Sequence, residues 1–505
     1  MNDVTNAMEM IALTSENRSI LGPLEGLLAA DNVEAYLVGG FVRDALLGRE
    51  TKDIDLAVKA DAHMLARKLA DALGASFVSL DTERDVARIV GAIDGDEFVI
   101  DVARLDGDAK SDMARRDFTI NAMAVPLHKS SLTRSEILDH HGARKDLRER
   151  TIRAVQEDVF RRDPVRMMRA VRLSAVLGFE IDADTRDLIR QSSTSIVSSS
   201  PERVREELLA TLAARGARDS IRLMDDLGLL SVLIPEIDAS RGVTQPKAHH
   251  YYDVFNHLVE AVGFVEVLLD SEPNGGIVHE MMPKFDGMTE YFSSYATDMH
   301  SRLTLLKLTG LLHDIGKPAT KSIEQSGRVR FFEHSTVGEE MAKVVLRRMR
   351  FGRSGVSMTG TMIRHHLRPR QMAARNEMPT NRAIHRYFRD VGNVALDTLY
   401  LNMADFLAAK GPDLTRDDMA RGSKVISHIL KVGQNIEHIT KPRRSNPRAL
   451  LDGNDIMREF GLSPGPKIGD VLSVVGEAEA TGKVNTIEEA VRLATQYLES
   501  EDGGA

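Results

Sequence analysis

The sequence predicts an α+β protein, with a mixed β-sheet and helices in residues 1–150 and a mainly helical remainder. Two observations support this prediction. Short segments rich in β-branched residues and alternating in polarity, such as FVIDV, lie between residues 35 and 104. From about residue 157 onward, long stretches such as PERVREELLATLAA are typical of helices, and Pro201 suits a first helical position.

Composition restricts the classes of site that the chain can build. Its 505 residues are enough for three or four domains, and 42% hydrophobic with 28% charged residues is ordinary for a globular protein. The chain has no cysteine, which excludes disulfides, thiolate zinc sites and cysteine nucleophiles. Any metal site must therefore use histidines and carboxylates. The net charge of −9 means that an RNA-binding surface would need locally concentrated basic residues.

The sequence gives no indication of export or membrane insertion. The amino-terminal segment MNDVTNAMEMIALTSENRS lacks the basic start and continuous apolar core of a signal peptide. No apolar run has the length of a membrane span. A cytoplasmic enzyme without a membrane partner is therefore expected.

The stretch LVGGFVRDALLGRETKDIDLAV, residues 37–58, has the features of a phosphate-binding turn. Gly39 and Gly40 follow an apolar run and precede a helix-like segment. Glycines let the backbone approach a ligand closely, and the following helix N-terminus offers free N–H groups to a phosphate. Arg43 lies in that first helical turn, where its guanidinium can bind two phosphate oxygens.

A carboxylate pair follows at once. In the alternating segment DIDLAV, Asp53 and Asp55 lie on one face of a strand, and such a pair suits Mg²⁺. Two ions could hold a triphosphate and an attacking hydroxyl for in-line displacement. Asp101, on a strand expected to pair beside this one, is a candidate third ligand or orienting residue. The alternative is an edge-strand aspartate that faces water.

Residues 157–178, EDVFRRDPVRMMRAVRLSAVLG, are predicted to form one helix with Asp163, Arg166, Arg169 and Arg172 along a single ridge. Asp163 only accepts and Arg166 only donates hydrogen bonds. Cytosine and adenine present an amino donor beside an acceptor, which matches this pair, whereas uracil and guanine present the reverse. A buried polar mismatch costs about 1–3 kcal/mol per group. The pair could thus select C and A without a template, although a solvated basic face is the plainer alternative.

These motifs together resemble a known family. G-G-x-V-R-D-x-x-L-G followed by D-x-D, with RRDFTINAMA at 115–124, is similar to the class II nucleotidyltransferases: tRNA CCA-adding enzymes and bacterial poly(A) polymerases. The resemblance implies a DNA polymerase beta-like nucleotidyltransferase head, then a helical neck, an HD domain and a tail. It also implies that Arg116, Arg169 and Arg172 contact the nucleotide. The base-reading motif E-D-x-x-R has Arg162 where the family has glutamate.

A second constellation begins near residue 244. The order His257, His313-Asp314, His334, His365-His366 and Asp405 resembles the HD superfamily of metal-dependent phosphohydrolases. Imidazoles with carboxylates favour a transition metal such as Mn, Fe, Ni, Co or Zn. By this resemblance Asp314 could bridge two ions, and Lys317 could stabilise a phosphate. An inactive remnant that keeps only the fold is the alternative, and the sequence does not determine a substrate.

The expected domains are a nucleotidyltransferase head at 1–150, a nucleotide-reading and RNA-binding neck at 151–240, an HD metal-binding domain at 241–440 and a helical RNA-binding tail at 441–505. The tail opens with the basic linker KPRRSNPR at 441–448.

The leading hypothesis is template-independent addition of C, C and A to tRNA 3′ ends from CTP and ATP, with phosphohydrolase activity at the HD site. The partners would be tRNA, ATP and CTP, and no protein partner is inferred. The proposed sites are Mg²⁺ ligands Asp53, Asp55 and Asp101; nucleotide-binding Gly39, Gly40, Arg43, Arg116, Asp163, Arg166, Arg169 and Arg172; and transition-metal ligands His257, His313, Asp314, His334, His365, His366 and Asp405.

Three alternatives stay open. The first is a poly(A) polymerase, or an enzyme that adds only A or only C. The second is an HD-type nucleotide or cyclic-phosphate hydrolase whose head positions RNA. The third is a catalytically silent RNA-binding scaffold.

Overall fold

The computed structural model describes residues 15–93, 96–127, 134–246, 250–269, 276–297, 300–373, 377–435, 450–480 and 483–502. The chain divides into two compact units, one from Met1–Glu207 with Leu223–Leu233 and the other from Leu208–Arg222 with Ile234–Ala505. The basic linker predicted at 441–448 lies outside the described residues.

The described elements up to residue 240 combine a sheet with helices. In chain order they are α1 (Ser15–Ala30), β1 (Ala35–Val38), α2 (Gly39–Leu46), β2 (Asp53–Val58), α3 (Ala62–Leu73), β3 (Ser76–Asp81), β4 (Val86–Ile93), β5 (Asp96–Arg104), α4 (Ala109–Ala114), β6 (Met123–Pro126), β7 (Leu138–Asp139), α5 (Ala143–Arg148), β8 (Thr151–Ile152), α6 (Val159–Arg162), α7 (Val165–Leu177), β9 (Glu180–Ile181), α8 (Ala183–Ser192), α9 (Pro201–Ala213), α10 (Ala217–Asp226) and α11 (Leu229–Leu233).

Seven of the described strands form one mixed sheet in the order β3-β4-β5-β2-β1-β6-β7. Strand β2 runs parallel to β5, and β1 runs antiparallel to β2 and β6. Val38, Ala57, Met113 and Ala122 are buried together between this sheet and its helices. The predicted α+β class, with a mixed sheet at the start of the chain, is confirmed.

The single helix predicted for residues 157–178 is wrong in one respect, because it is divided at Asp163. Helix α6 ends at Arg162, Asp163 is extended (φ −153°, ψ 96°), and α7 starts after Pro164. The residue before a proline is disfavoured in the helical region, while proline itself suits a helix start. Asp163 therefore precedes the helix that carries Arg166 instead of lying on its ridge.

After residue 240 helices dominate. The described elements are α12 (Val254–Leu269), α13 (Gly276–Met281), α14 (Met288–Ser293), β10 (Tyr295–Thr297), β11 (His300–Ser301), α15 (Arg302–Leu312), α16 (Lys317–Thr320), β12 (Lys321–Ile323), β13 (Val329–Phe331), α17 (His334–Arg348), α18 (Arg353–His365), α19 (Arg368–Gln371), α20 (Asn381–Val391), α21 (Ala395–Lys410), α22 (Arg416–Asn435), α23 (Gly453–Phe460), α24 (Pro466–Ala480) and α25 (Ile487–Asp502).

Helix α12 packs against both α15 and α21; His257 lies on α12, His313 directly follows α15, and Asp405 lies on α21. Their core includes Leu306, Leu399 and Met403. Helices α23 to α25 enclose a separate small core around Ile456 and Val471. In the described part of the chain, no helix combines the length and apolarity needed to cross a membrane.

A buried ion pair holds the turn between α9 and α10. The Nζ atom of Lys307, which is 2% exposed, donates to the carbonyls of Leu212 (2.9 Å) and Ala214 (3.0 Å) and pairs with Glu266 at 3.2 Å. Glu266 also accepts from the backbone N–H groups of Gly216 and Ala217 at the start of α10. One pair of charges thus satisfies backbone groups at both helix ends, which otherwise lack partners.

Lys307→Met should lower the free energy of unfolding by about 3–5 kcal/mol, because it leaves Glu266 and two carbonyls without their buried partner. Lys68→Met is the matched control, since Lys68 is half exposed and pairs with Asp31 at the surface. Such pairs contribute about 0–1 kcal/mol. Urea unfolding of the full chain measures both variants, and equal small losses would contradict the role given to Lys307.

Candidate functional site

The first candidate site is built around a close approach at Gly39. This residue has φ +68°, and a Cβ there would lie 2.8 Å from Asp55 Oδ2 and 2.9 Å from an Arg116 guanidinium nitrogen. The backbone N–H of Gly40 donates to Asp55. Arg116 is held in place by Asp112, with nitrogen–oxygen distances of 3.0 and 3.1 Å. Only glycine therefore allows helix α2, the carboxylate and the arginine to meet.

The three predicted Mg²⁺ ligands lie on neighbouring strands. Asp55 on β2 pairs in register with Asp101 on β5, and exposed Asp53 lies two residues before Asp55 on the same strand face. Asp101 already accepts both hydrogen bonds of the Arg88 guanidinium, at 2.7 and 2.8 Å. The predicted pairing of these strands is confirmed. The carboxylate cluster is of the hard oxygen type that divalent cations such as Mg²⁺ prefer.

Burial raises the pKa of Asp55 from 3.8 to about 6, against the lowering effect of Arg116 and with a further contribution from Asp101. Its ionised form is therefore under-compensated by the protein alone. A cation placed between Asp53 and Asp55 would supply the missing positive charge, so the electrostatics fit a metal ligand.

A continuous chain of polar contacts links helix α2 to helix α7. Arg43 donates to Asn121 Oδ1 (2.6 Å), and Asn121 donates to buried Asp117 (3.0 Å). Asp117 pairs with Arg169 at 3.1 Å, and Arg169 also pairs with Glu207. Asp117, in the segment RRDFTINAMA, thus holds Arg169 of α7. The contacts position α7 relative to the glycine turn.

The predicted nucleotide-binding arginines of α7 differ in how many of their hydrogen-bond donors already have a carboxylate partner. Arg169 has two carboxylate partners, and Arg172 donates to Glu207 at 2.6 Å. Arg166 approaches Asp163 only to 3.8 Å, and its Nη1 atom is buried without a hydrogen-bond partner among the described residues. Desolvation lowers the pKa of Arg166, which shows that its charge is incompletely compensated. Arg166 is therefore the residue with donors free for a ligand.

Asp163 has an orienting partner that sequence reasoning missed. Arg203 on α9 binds both of its carboxylate oxygens, at 3.1 and 2.7 Å. Arg162, which replaces the family's glutamate, turns to Asp158 (2.8 Å) and Gln156 (2.9 Å). A carboxylate has about four acceptor positions, so Asp163 keeps two for a base amino group. Forty residues separate Arg203 from Asp163, and no local pattern links them.

The second candidate site lies in the second unit and consists of two groups that share Asp314. His257, His313, Asp314 and Asp405 form one, and Asp314, His334 and His366 form the other, each with ligand atoms within 4.8 Å of one another. Asp314 Oδ2 lies 3.3 Å from the Nε2 atoms of His257 and His313, while Oδ1 lies 3.4 Å from Nε2 of His334. Ligands about 2.1 Å from one ion lie roughly 3.0–3.4 Å apart, so the spacing fits metal coordination with a bridging carboxylate.

The histidines are held in the tautomer that a metal needs. Nδ1 of His313, His334 and His366 lies 2.8, 2.7 and 2.6 Å from the carbonyl of Gly310, Phe331 and Ile363, respectively. A carbonyl only accepts, so each of these three Nδ1 atoms carries a proton, and each ring turns its Nε2 toward Asp314. The Nε2 atoms of His334 and His366 are buried and have no hydrogen-bond partner in the described part of the chain.

Three further residues, His365, His250 and Lys317, belong to the same region of the second unit. His365, predicted beside His366, lies outside both groups. His250 was missed: its ring centroid lies 5.2 Å from that of His257, and burial lowers its pKa to about 3. Lys317 pairs with Asp314 at 2.5 Å and donates to Gln245 at 2.7 Å. Residues 245–257 are rich in histidine and tyrosine, but no sequence spacing distinguishes His250 from its neighbours as a residue of the site.

Charge in this pocket favours a cation. Burial acts to raise the pKa of Asp314, but Lys317 and His313 outweigh it and hold the pKa well below its ordinary range. Burial likewise acts to lower the pKa of His313, and Asp314 and Asp405 raise it instead, to about 10.

Comparisons with known proteins identify three domain types along the chain. The family profile described as "Poly A polymerase head domain" matches residues 35–153. The profile "Probable RNA and SrmB- binding site of polymerase A" matches 178–241, and "HD domain" matches 286–395. Heads and HD domains of these kinds use divalent metal ions.

Similar proteins extend over nearly the whole chain. An A-adding tRNA nucleotidyltransferase of Deinococcus radiodurans is 31% identical, over 93% of this chain and 96% of that protein. A CC-adding tRNA nucleotidyltransferase of Thermus thermophilus is 30% identical, over 90% and 92%.

A solved structure of the Thermotoga maritima CCA-adding enzyme complexed with tRNA shares the fold, with a TM-score of 0.59 and 22% identity over 96% of each chain. The described architecture, the full-length relatives and the three matched profiles lead to one conclusion: this chain belongs to the tRNA nucleotidyltransferase family.

Proposed function

We propose that this protein adds C, C and A to the 3′ ends of tRNA, with CTP and ATP as substrates and pyrophosphate as the leaving group, in the cytoplasm. The observation that carries this proposal is the combination of the Asp53/Asp55 carboxylates beside the glycine turn with the incompletely paired Arg166 next to Asp163, which Arg203 orients. Curated relatives named for A addition and for CC addition support tRNA as the acceptor.

In this proposal the tRNA 3′ hydroxyl attacks the α-phosphorus, a new P–O bond forms, and the bond to pyrophosphate breaks. Asp53 and Asp55 would hold Mg²⁺, with Asp101 as an orienting neighbour, and the metal would neutralise charge on the reacting phosphate. Gly39, Gly40 and Arg116 would hold the triphosphate. Arg43 would act through Asn121, because its guanidinium is bonded to that residue and to Asp44.

Base choice would fall to Asp163 and Arg166. Asp163 would accept from the amino group of cytosine or adenine, and Arg166 would donate to the adjacent ring nitrogen. Uracil and guanine would leave both groups mismatched. Arg203 would keep the Asp163 carboxylate oriented, which compensates for Arg162 in place of glutamate.

The deciding experiment offers each of the four NTPs, with Mg²⁺, to tRNA that lacks CCA and to tRNA that ends in CC. Addition of C, C and A to the first, and of A alone to the second, supports the proposal. Incorporation of A alone with no use of CTP identifies an A-adding enzyme, and a stop after CC identifies a CC-adding enzyme. A long A tract identifies a poly(A) polymerase. Asp53→Ala with Asp55→Ala is the inactive control.

Arg166→Met should reduce the preference for CTP and ATP over UTP and GTP by about 5- to 150-fold, since each mismatched group is worth about 1–3 kcal/mol. Ratios of kcat/KM for the four NTPs measure the change. Arg161→Met is the matched control: Arg161 lies on the preceding helix α6 with its side chain 84% exposed, and its ratios should stay within twofold. Unaltered selectivity in Arg166→Met would exclude Arg166 as a base-reading residue.

Asp55→Asn should stabilise the metal-free protein at neutral pH. The folded-state pKa of about 6 lies above the unfolded value of 3.8, so stability from this group is present below pH 4 and lost as the pH rises through 6. At pH 8 in EDTA the variant should gain about 1–3 kcal/mol in urea unfolding of the first unit, and below pH 4 it should match the native chain. Exposed Asp53→Asn should change little, and a loss of stability in Asp55→Asn at pH 8 would contradict this account.

We also propose that the two histidine–aspartate groups of the second unit form a metal-dependent phosphohydrolase centre. The specific support is Asp314, which both ligand groups share, together with the buried Nε2 atoms of His334 and His366 that have no hydrogen-bond partner among the described residues. The ligand set of imidazoles and carboxylates suits Mn, Fe, Ni, Co or Zn, which would activate water for attack on phosphorus. Lys317, already against Asp314, would help hold the phosphate.

His313→Ala should lower the affinity of the full chain for Mn²⁺ at this centre at least tenfold and abolish hydrolysis of phosphate esters, while CCA addition stays within twofold. His365→Ala, its matched control, should keep both metal and hydrolysis because His365 lies outside the two groups. Metal analysis and hydrolysis of 2′,3′-cyclic AMP check these outcomes. Equal metal loss in both variants would show that the effect is structural.

A further inference from the structure

Arg370 lies beside the histidine–aspartate centre without a stated role. It belongs to the short helix α19, which follows His366, and its guanidinium carbon lies 3.6 Å from the centroid of the Phe406 ring. Phe406 is the residue after Asp405 on α21. The amide of Asn402, one turn earlier on α21, donates to the carbonyl of His366 at 2.7 Å. The start of α19 is therefore fixed against the helix that carries a metal-group carboxylate.

The guanidinium of Arg370 is unusual in lacking an acceptor. In the part of the chain that the structure describes, the guanidinium makes no hydrogen bond and no ion pair, and it stacks on the ring of Phe406. Nearby arginines differ: Arg368 pairs with Asp390 at 2.8 Å and Arg364 with Glu339 at 3.0 Å. The guanidinium donors of Arg370, which no described residue accepts, are therefore available to a ligand.

The electrostatics of Arg370 agree with the geometry. Desolvation lowers its pKa to about 10, and the charge of Asp405 only partly opposes this effect. The neighbouring charges therefore do not fully compensate the positive charge of Arg370. Stacking on Phe406 restricts the guanidinium plane, so its donors are pre-oriented.

Charge balance indicates what such a ligand would be. Two carboxylates, Asp314 and Asp405, stand against two cationic side chains, Lys317 and Arg370, and histidines that bind a metal are neutral. Each divalent ion bound there would add two positive charges. The loaded centre would therefore be strongly positive and would attract an anion of high charge density, of which phosphate is the best match to a guanidinium fork.

We propose that Arg370 is a phosphate-binding residue of this centre, where its guanidinium takes two oxygens of the phosphate group of a phosphate-ester substrate. This inference rests on the proposed phosphohydrolase function and identifies a substrate-binding residue for it. Lys317 and Arg370 would then hold the phosphate from two different helices, α16 and α19. Arg370 would bind both the ester and the inorganic phosphate product, because both present paired oxygens.

The test uses the full chain with Asp53→Ala and Asp55→Ala, which removes metal binding at the first unit. Inorganic phosphate is titrated into the Mn²⁺-loaded protein, and both the heat of binding and the ³¹P relaxation enhancement by Mn²⁺ are measured. Arg370→Met should weaken phosphate binding at least tenfold with the manganese content unchanged, and Arg370→Lys should be intermediate. Arg368→Met is the matched control, because the guanidinium of Arg368 is already paired with Asp390; it should bind phosphate within twofold of the parent.

A second measurement separates binding from structure. Because Arg370 has no acceptor among the described residues, Arg370→Met should unfold at the same or a higher urea concentration than the parent, whereas a structural arginine would give a less stable protein. The proposal is overturned if the parent binds no phosphate, if Arg370→Met binds it within twofold, or if phosphate and manganese are lost together. Arg370-dependent phosphate binding without hydrolysis of bis-p-nitrophenyl phosphate or 2′,3′-cyclic AMP would support the inference and reject the hydrolase function.

Discussion

The buried carboxylate of Asp117 is the contact on which the first site depends. It receives Asn121 from one side and Arg169 from the other, so the glycine turn and the helix of Arg166 are held by one charge. Burial acts to raise the pKa of Asp117, yet Arg169 and the hydrogen bond from Asn121 outweigh it and keep the pKa below its ordinary value. A buried charge with a full set of partners fixes geometry, because removal of any partner leaves an uncompensated ion.

The functional groups of this unit show the opposite property. Asp55 and Arg166 are both held in place by neighbours, and both remain incompletely compensated. Residues such as Asp112 and Arg203 complete the hydrogen bonding of the supporting side of the site and leave acceptors and donors free on the other side. Rigid support with unsatisfied ligand-facing atoms is what pre-organised binding requires, and its consequence is reduced stability in the absence of ligand.

The second unit follows the same rule with different chemistry. Backbone carbonyls occupy Nδ1 of three histidines, which leaves the Nε2 atoms around Asp314 for a metal. The HD profile begins at residue 286 and ends at 395, yet His257 on α12 and Asp405 on α21 complete the first ligand group. The centre therefore depends on the packing of α12 and α21 against α15 as much as on the motif itself.

The sequence by itself determined the chemistry. Alternation identified the strand of Asp53 and Asp55, glycines identified the turn, and histidines and aspartates in order identified the HD domain, because period and residue type are local properties. Proline after Asp163 was also visible, and it explains why that residue precedes the helix. Tertiary structure decided which of these side chains have partners: Arg88 covers Asp101, Arg203 holds Asp163, and His366 faces Asp314 while His365 lies outside both ligand groups. Arg370 stacks on Phe406 and has no acceptor among the described residues. These outcomes depend on side-chain direction and on partners tens of residues away, which no local pattern specifies.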